Sequence, residues 1–114
     1  MASPLTAQTL EPSSPRERFQ RFASEWQAKS RHMSNVMQMA MLRPYQKIIG
    51  MGMEAVPFIL EELRREPDQW FWALEAITDE NPVPPEAAGK VTLMAQAWIA
   101  WGEKNGLIPN DSKR

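Results

Sequence analysis

A few side chains in this sequence could support catalysis, and the strongest candidates are three polar residues near one proline. His32, Tyr45 and Gln46 lie close to Pro44 in the sequence, and a histidine near a hydroxyl group is a common start for acid–base chemistry. Adjacency in sequence does not encode catalytic geometry, however, because the members of a catalytic group must meet in space. Tyr45 could equally tether the chain at Pro44 through its hydroxyl group. We predict no enzyme activity, and a small enzyme at His32 and Tyr45 is the third alternative.

Methionine is the other residue type that could do chemistry, as a ligand for Cu(I). Most of the eight methionines fall in one stretch that begins beside His32: Met33, Met37, Met39, Met41, Met51 and Met53. On a helix, residues i and i+2 point about 200° apart, so the Met-x-Met pairs cannot converge on one ion. The chain has no cysteine and a single histidine, which excludes thiolate and multi-histidine sites. We predict no metal and no cofactor, with the methionines packing the core or lining a groove for a partner helix.

Charge is unevenly distributed along the chain, although the formal net charge is only -1. Residues 16–47 are basic and residues 54–86 are acidic. The basic half could follow a phosphate backbone, and this DNA-associated alternative would use Arg16, Arg18, Arg21, Arg31 and Lys47. A nucleic-acid-binding domain usually has a clear positive excess. The preferred interpretation is therefore that the two halves pair within one molecule or across a homodimer.

The elements that must position these residues are predicted to be helices. Ser14, Pro15 and Glu17 form a capping-box pattern before an apolar stripe, which predicts a helix over about residues 15–29. Further helices are expected after Ser34, around 53–63, from Pro67 to about 77, and at about 90–105. Residues 44–49 are expected to form a short turn, and 79–89 a proline-rich connector. No strand pattern is found, so we predict an all-α fold of about five helices.

The 114 residues are enough for one small domain, with 43% hydrophobic and 24% charged side chains. We expect a disordered N-terminal tail at 1–13, a single helical domain at 14–107 and a frayed C-terminus at 108–114. The N-terminal residues do not resemble a secretory signal. No apolar run approaches the roughly 18–20 residues that span a bilayer. We therefore expect a cytoplasmic protein that does not enter the membrane.

Two resemblances support the helical prediction. Residues 52–63, followed by 70–77, resemble one HEAT-type helical hairpin, in which a Gly-x-x-Ala-Val-Pro start opens the first helix. This resemblance implies an antiparallel hairpin at the centre of the fold. Residues 43–52, 70–74, 81–83 and 97–102 are also similar to a set of short uncharacterised bacterial proteins. Those proteins have His at the position of Arg43, so a role of that His would not extend to this chain.

Five tryptophans in so short a chain are the most unusual feature of the sequence. Trp70, Trp98 and Trp101 lie on stripes predicted to be buried, whereas Phe71 and Trp72 do not fit their stripe. An exposed aromatic side chain is a common anchor for a protein partner. We therefore predict a small non-catalytic interaction or adaptor module. Its partner-binding residues would be Phe71 and Trp72 with the acidic residues Glu61, Glu62 and Glu75.

Overall fold

The computed structural model describes residues 14–110, and within them every regular element is a helix, which confirms the all-α class. The α-helices are α1 (Pro15–Ser30), α2 (Val36–Met41), α3 (Arg43–Met51), α4 (Val56–Arg65), α5 (Phe71–Thr78) and α6 (Val91–Lys104). Two short 3-10 segments occupy Gly52–Ala55 and Pro85–Ala87. None of the helices in this part of the chain is long and apolar enough to cross a membrane. The expected tail at 1–13 lies outside the described residues.

Helix α1 begins where its sequence signals predict. The Ser14 hydroxyl accepts from the backbone N–H of Glu17, and the Glu17 carboxylate accepts from the backbone N–H of Ser14. This reciprocal pair satisfies two of the amide groups that every helix start leaves without partners. Phe19, Ala23 and Trp26 are buried on the inner face of the helix. The apolar stripe read from the sequence is therefore the face that packs against the core.

The turn expected at 44–49 is wrong, because these residues form most of α3. Pro44 occupies the first turn of that helix, where its missing N–H needs no partner. The chain breaks at Leu42 instead, whose ψ of 143° is extended and separates α2 from α3. Gly52 ends α3 with a φ of 73°, which is the backbone region that glycine enters most easily.

Helices α4 and α5 are the pair expected to form a HEAT-like hairpin. The start of α5 is Phe71 rather than Pro67, so residues 66–70 form a longer link than expected. Helix α4 packs more extensively on α6 than on α5, and the main helical neighbour of α5 is α3. The two helices thus belong to a wider all-α packing, and their resemblance to a HEAT hairpin stays a prediction.

An aromatic cluster forms the centre of the core. Trp26, Tyr45 and Trp70 are fully buried, with ring centroids 4.5 Å apart for Trp26–Trp70 and 5.9 Å for the stacked Tyr45–Trp70 pair. The Trp26 indole also donates a hydrogen bond to the carbonyl of Met39 at 2.8 Å. Large aromatic areas stabilise a core that is small for its surface. The cluster joins α1, α3 and the start of α5.

The C-terminal boundary differs from the prediction, because Ile108 is only 6% exposed and belongs to the core. Its side chain lies beside Gly102 of α6. The Arg64 guanidinium donates to the carbonyl of Pro109 and pairs with Glu103 at 2.6 Å. The packed domain therefore continues past 107, and residues 108–110 are held in place. The remainder of the expected frayed end, 111–114, lies outside the described residues.

Candidate functional site

A largely apolar groove of about 540 Å³ opens on the surface of the described residues, and we call it the Trp72 groove. Elements distant in sequence meet there: the start of α2, the link before α5, α5 itself and α6. Its lining consists of Val36, Gln69, Phe71, Trp72, Glu75, Ala76 and Met94. A groove assembled from several elements is shaped by the fold as a whole.

Helix α5 positions the aromatic residues of this groove. Trp70, Ala73 and Leu74 are fully buried, so the helix presents Trp72 on its opposite side, where the side chain is 40% exposed. Phe71 lies toward the core and is only 5% exposed. Of the two proposed aromatic anchors, the structure therefore leaves Trp72 accessible, and Phe71 lines the groove from a largely buried position.

The charged side of the Trp72 groove is acidic. Glu75 lines the groove and is exposed, and no lysine or arginine is part of the lining. Asp79 follows Glu75 by one helical turn and is also exposed, at the end of α5. The groove thus combines an apolar surface with local negative charge.

The acidic surface predicted to join α4 to this site is not formed. Glu61 pairs with Arg16 at 3.1 Å, and Glu62 pairs with Arg65 at 2.6 Å. Neither glutamate lines the Trp72 groove. The prediction grouped them by their place in the acidic half of the sequence, whereas their position on α4 brings them to α1 and to their own helix.

Three methionines of the described residues are at least half exposed, and two of them lie on α2. Met37 is 58% exposed and Met41 54%, and both lie on α2. The first residue of that helix, Val36, is 41% exposed and lines the groove, whereas neither of these methionines does. Met94 lines the groove from α6. Among residues 14–110, no group of three or more His, Cys, Asp or Glu side chains is placed to hold a metal ion.

The residues considered for catalysis lie in different surroundings, with Tyr45 in the core and His32 on the surface. Tyr45 is fully buried; its hydroxyl donates to the carbonyl of Gln69 at 3.0 Å and accepts from the backbone N–H of Ala73 at 2.9 Å. Burial raises the pKa of Tyr45 well above its usual range. His32 is exposed and lines none of the grooves described here. The Gln46 amide donates to the carbonyl of Ala40 at 2.7 Å. The Tyr45 hydroxyl therefore connects α3 to the start of α5, in agreement with the tethering role considered from the sequence.

Most of the basic residues chosen for a nucleic-acid surface are dispersed. Arg16 pairs with Glu61 and stacks over the Phe58 ring at 4.7 Å. Arg21 lies over the Phe22 ring. Arg31 lines a separate groove that also contains Glu66 and Asp68. A continuous basic track is therefore not formed by this set.

Arg18 and Lys47 of that set do lie together, and Arg43, which the nucleic-acid prediction does not include, joins them. Arg18 of α1 and Lys47 of α3 line a groove of about 470 Å³ together with Arg43, Gln46 and Gly50. We call it the basic groove. Arg43 and Lys47 are four residues apart, a spacing that puts two side chains on one face of a helix. The predicted turn at 44–49 gave no reason to place them together.

Comparison of the chain with protein-family models, with curated proteins and with solved structures found no match.

Proposed function

We propose that this protein is a non-catalytic recognition module whose Trp72 groove binds a cationic, amphipathic segment of a protein partner. The observation that carries the proposal is an indole left 40% exposed at the edge of an apolar groove that contains a glutamate and no cation. The segment would place an apolar side chain against Trp72 and a lysine or arginine near Glu75.

Leaving the aromatic surface of Trp72 exposed to water is unfavourable, and an apolar partner would cover it. Tryptophan is enriched among the few interface residues that dominate binding free energy, and truncating such a residue costs about 2 kcal/mol or more. Four of the lining residues, Val36, Phe71, Trp72 and Met94, offer a partner an apolar contact surface. Met94 is an adaptable side chain, which suits a groove that must fit a helix of varied sequence.

The negative charge around the Trp72 groove favours a positively charged partner. Glu75 lies in the groove, and Asp79 is one helical turn away with no ion-pair partner among residues 14–110. Complementary charge at an interface increases the association rate and excludes partners of the wrong sign. A basic amphipathic helix fits this surface better than an acidic one.

A peptide-display selection against the immobilised protein tests the proposal. We expect enriched peptides to combine apolar residues at helical spacing with lysine or arginine. Their binding should be about 30-fold weaker with Trp72→Ala, as expected for the loss of an interface tryptophan. Met53→Ala is the matched control, because Met53 is 50% exposed on another part of the surface.

Charge reversal at Glu75 gives an independent readout. The Glu75→Lys variant should lose the basic peptides and favour acidic ones from the same library. Selected peptides that bind wild type, Trp72→Ala and Met53→Ala equally would contradict the proposal, as would a selection that yields no enrichment over an empty support.

A further inference from the structure

We propose that the basic groove binds a compact ligand that carries clustered phosphate groups, at a site separate from the Trp72 groove. Arg18, Arg43 and Lys47 meet there from two helices. The inference does not depend on the peptide-binding function proposed above, because the two grooves share no lining residue.

The shape of the basic groove follows from the register of α3. Arg43, Gln46, Lys47 and Gly50 follow one another at helical spacing and form one face of that helix. Arg18 approaches this face from α1, which packs closely on α3. Gly50 ends this face without a side chain, and the space beside it is open, since a Cβ atom built there meets nothing within 4 Å. The result is a concave surface with cations on both sides.

The charge of this groove is not neutralised within the part of the chain that the structure describes. Other basic side chains are matched with carboxylates, as in Arg16–Glu61, Lys29–Glu25 and Arg65–Glu62. Arg18, Arg43 and Lys47 have no such partner among residues 14–110, and no carboxylate lines the groove. Three neighbouring cations repel one another, and an anion bound between them removes that repulsion.

Phosphate suits this arrangement better than a carboxylate does. A guanidinium group can donate two parallel hydrogen bonds to phosphate oxygens, and a lysine adds a point charge. The opening of about 470 Å³ is also larger than one phosphate group requires. Two or three linked phosphates, as in a nucleotide or another polyphosphorylated small molecule, would contact all three cations at once.

The dispersed positions of the other basic residues favour a compact ligand over a nucleic-acid strand. A duplex presents about one charge per 1.7 Å of its axis, so its binding surface extends over many phosphates. Arg16 is engaged by Glu61, and Arg31 lies in a groove that contains Glu66 and Asp68. Of the cations considered for a nucleic-acid surface, only Arg18 and Lys47 therefore share one groove, where Arg43 joins them.

Titration of the ¹⁵N-labelled full chain with inorganic phosphate, pyrophosphate and tripolyphosphate, followed by NMR, tests the inference. We expect shifts confined to the lining of the basic groove, with affinity rising as phosphates are added. Each of Arg43→Gln and Lys47→Gln should weaken pyrophosphate binding about fivefold, the upper range for one exposed charge pair. Lys104→Gln removes the same charge from the exposed end of α6 and should leave binding unchanged.

Three outcomes would overturn the inference. One is that pyrophosphate causes no localised shift, and another is that Lys104→Gln weakens binding as much as Lys47→Gln does. The third is a duplex oligonucleotide that binds through Lys47 while pyrophosphate does not bind, which would indicate a nucleic-acid backbone as the ligand. Trp72→Ala should bind pyrophosphate with the wild-type affinity, because Trp72 does not line the basic groove. The two proposals can therefore fail independently of each other.

Discussion

Removing the hydroxyl group of Tyr45 is the sharpest test of how this fold is held together. In Tyr45→Phe the buried backbone N–H of Ala73 and the partly buried carbonyl of Gln69 lose their hydrogen-bond partner. A buried polar group without a hydrogen bond costs about 1–3 kcal/mol, so we expect the variant to be less stable by about 2 kcal/mol near neutral pH. The aromatic ring remains, so its stacking on Trp70 is retained and the loss reports the tether.

The difference between the two proteins should shrink as the solution becomes alkaline. The pKa of Tyr45 is raised in the folded protein by burial, while in the unfolded chain the phenol ionises near pH 10. Above about pH 10 the unfolded wild-type chain releases a proton that the folded protein keeps, which lowers wild-type stability by about 1.4 kcal/mol per pH unit. Phenylalanine has no such proton. The stability gap should thus fall from about 2 kcal/mol at about pH 8 to about 0.6 kcal/mol at about pH 11.

Urea unfolding followed by tryptophan fluorescence measures both free energies, with Tyr45→Phe and wild type in parallel at each pH. Other groups that titrate in alkali are common to the two proteins, so the difference isolates Tyr45. Because the chain has one tyrosine, tyrosinate absorbance reports this residue alone and should rise only as the protein unfolds. A gap that stays constant with pH, or tyrosinate absorbance that rises near pH 10 in the folded protein, would refute the reasoning.

Four further substitutions test local features, each by the midpoint of thermal or urea unfolding. Ser14→Ala removes the side-chain cap of α1 and should cost about 1 kcal/mol. Gly102→Ala places a Cβ atom 2.5 Å from the fully buried Leu60 and should destabilise by about 1–2 kcal/mol, whereas Gly50→Ala has open space and should stabilise by up to about 1 kcal/mol. Asp79→Gly should stabilise by about 0.5–1 kcal/mol, because Asp79 has a φ of 59°, where glycine has no steric penalty. A change of stability with the opposite sign in any of the four variants would contradict the local explanation for that residue.

The sequence predicted the helical elements well wherever local signals agree with the final packing. The Ser14–Glu17 capping box and the buried stripe through Trp26 depend on near neighbours alone, and both are present. The predicted turn after Pro44 is wrong because proline has two common positions. It disfavours helical geometry in the residue before it, and it also fits the first turn of a new helix. Only the extended backbone of Leu42 in the folded chain decides between these alternatives.

The grooves were harder to predict because their residues are distant in sequence. Trp72 could be recognised as a misfit on its helix, but nothing local indicates that Val36 and Met94 lie beside it. Glu61 and Glu75 were predicted to share a surface because both lie in the acidic half of the sequence. In the folded chain Glu61 instead forms a salt bridge with Arg16. A run of like charges along a chain describes its composition, and the helix packing decides which charges become neighbours.

The close pairing of Trp26 and Trp70, with ring centroids 4.5 Å apart, has a spectroscopic consequence. Two indoles held rigidly at that separation couple their electronic transitions and contribute to circular dichroism in the same far-ultraviolet region as the helices. A helix content calculated from that spectrum would be distorted for the native protein. The near-ultraviolet signal of the same pair should vanish when specific packing is lost, even if the helices persist. The protein thus carries an intrinsic optical reporter that separates a tightly packed core from a collapsed, loosely packed one.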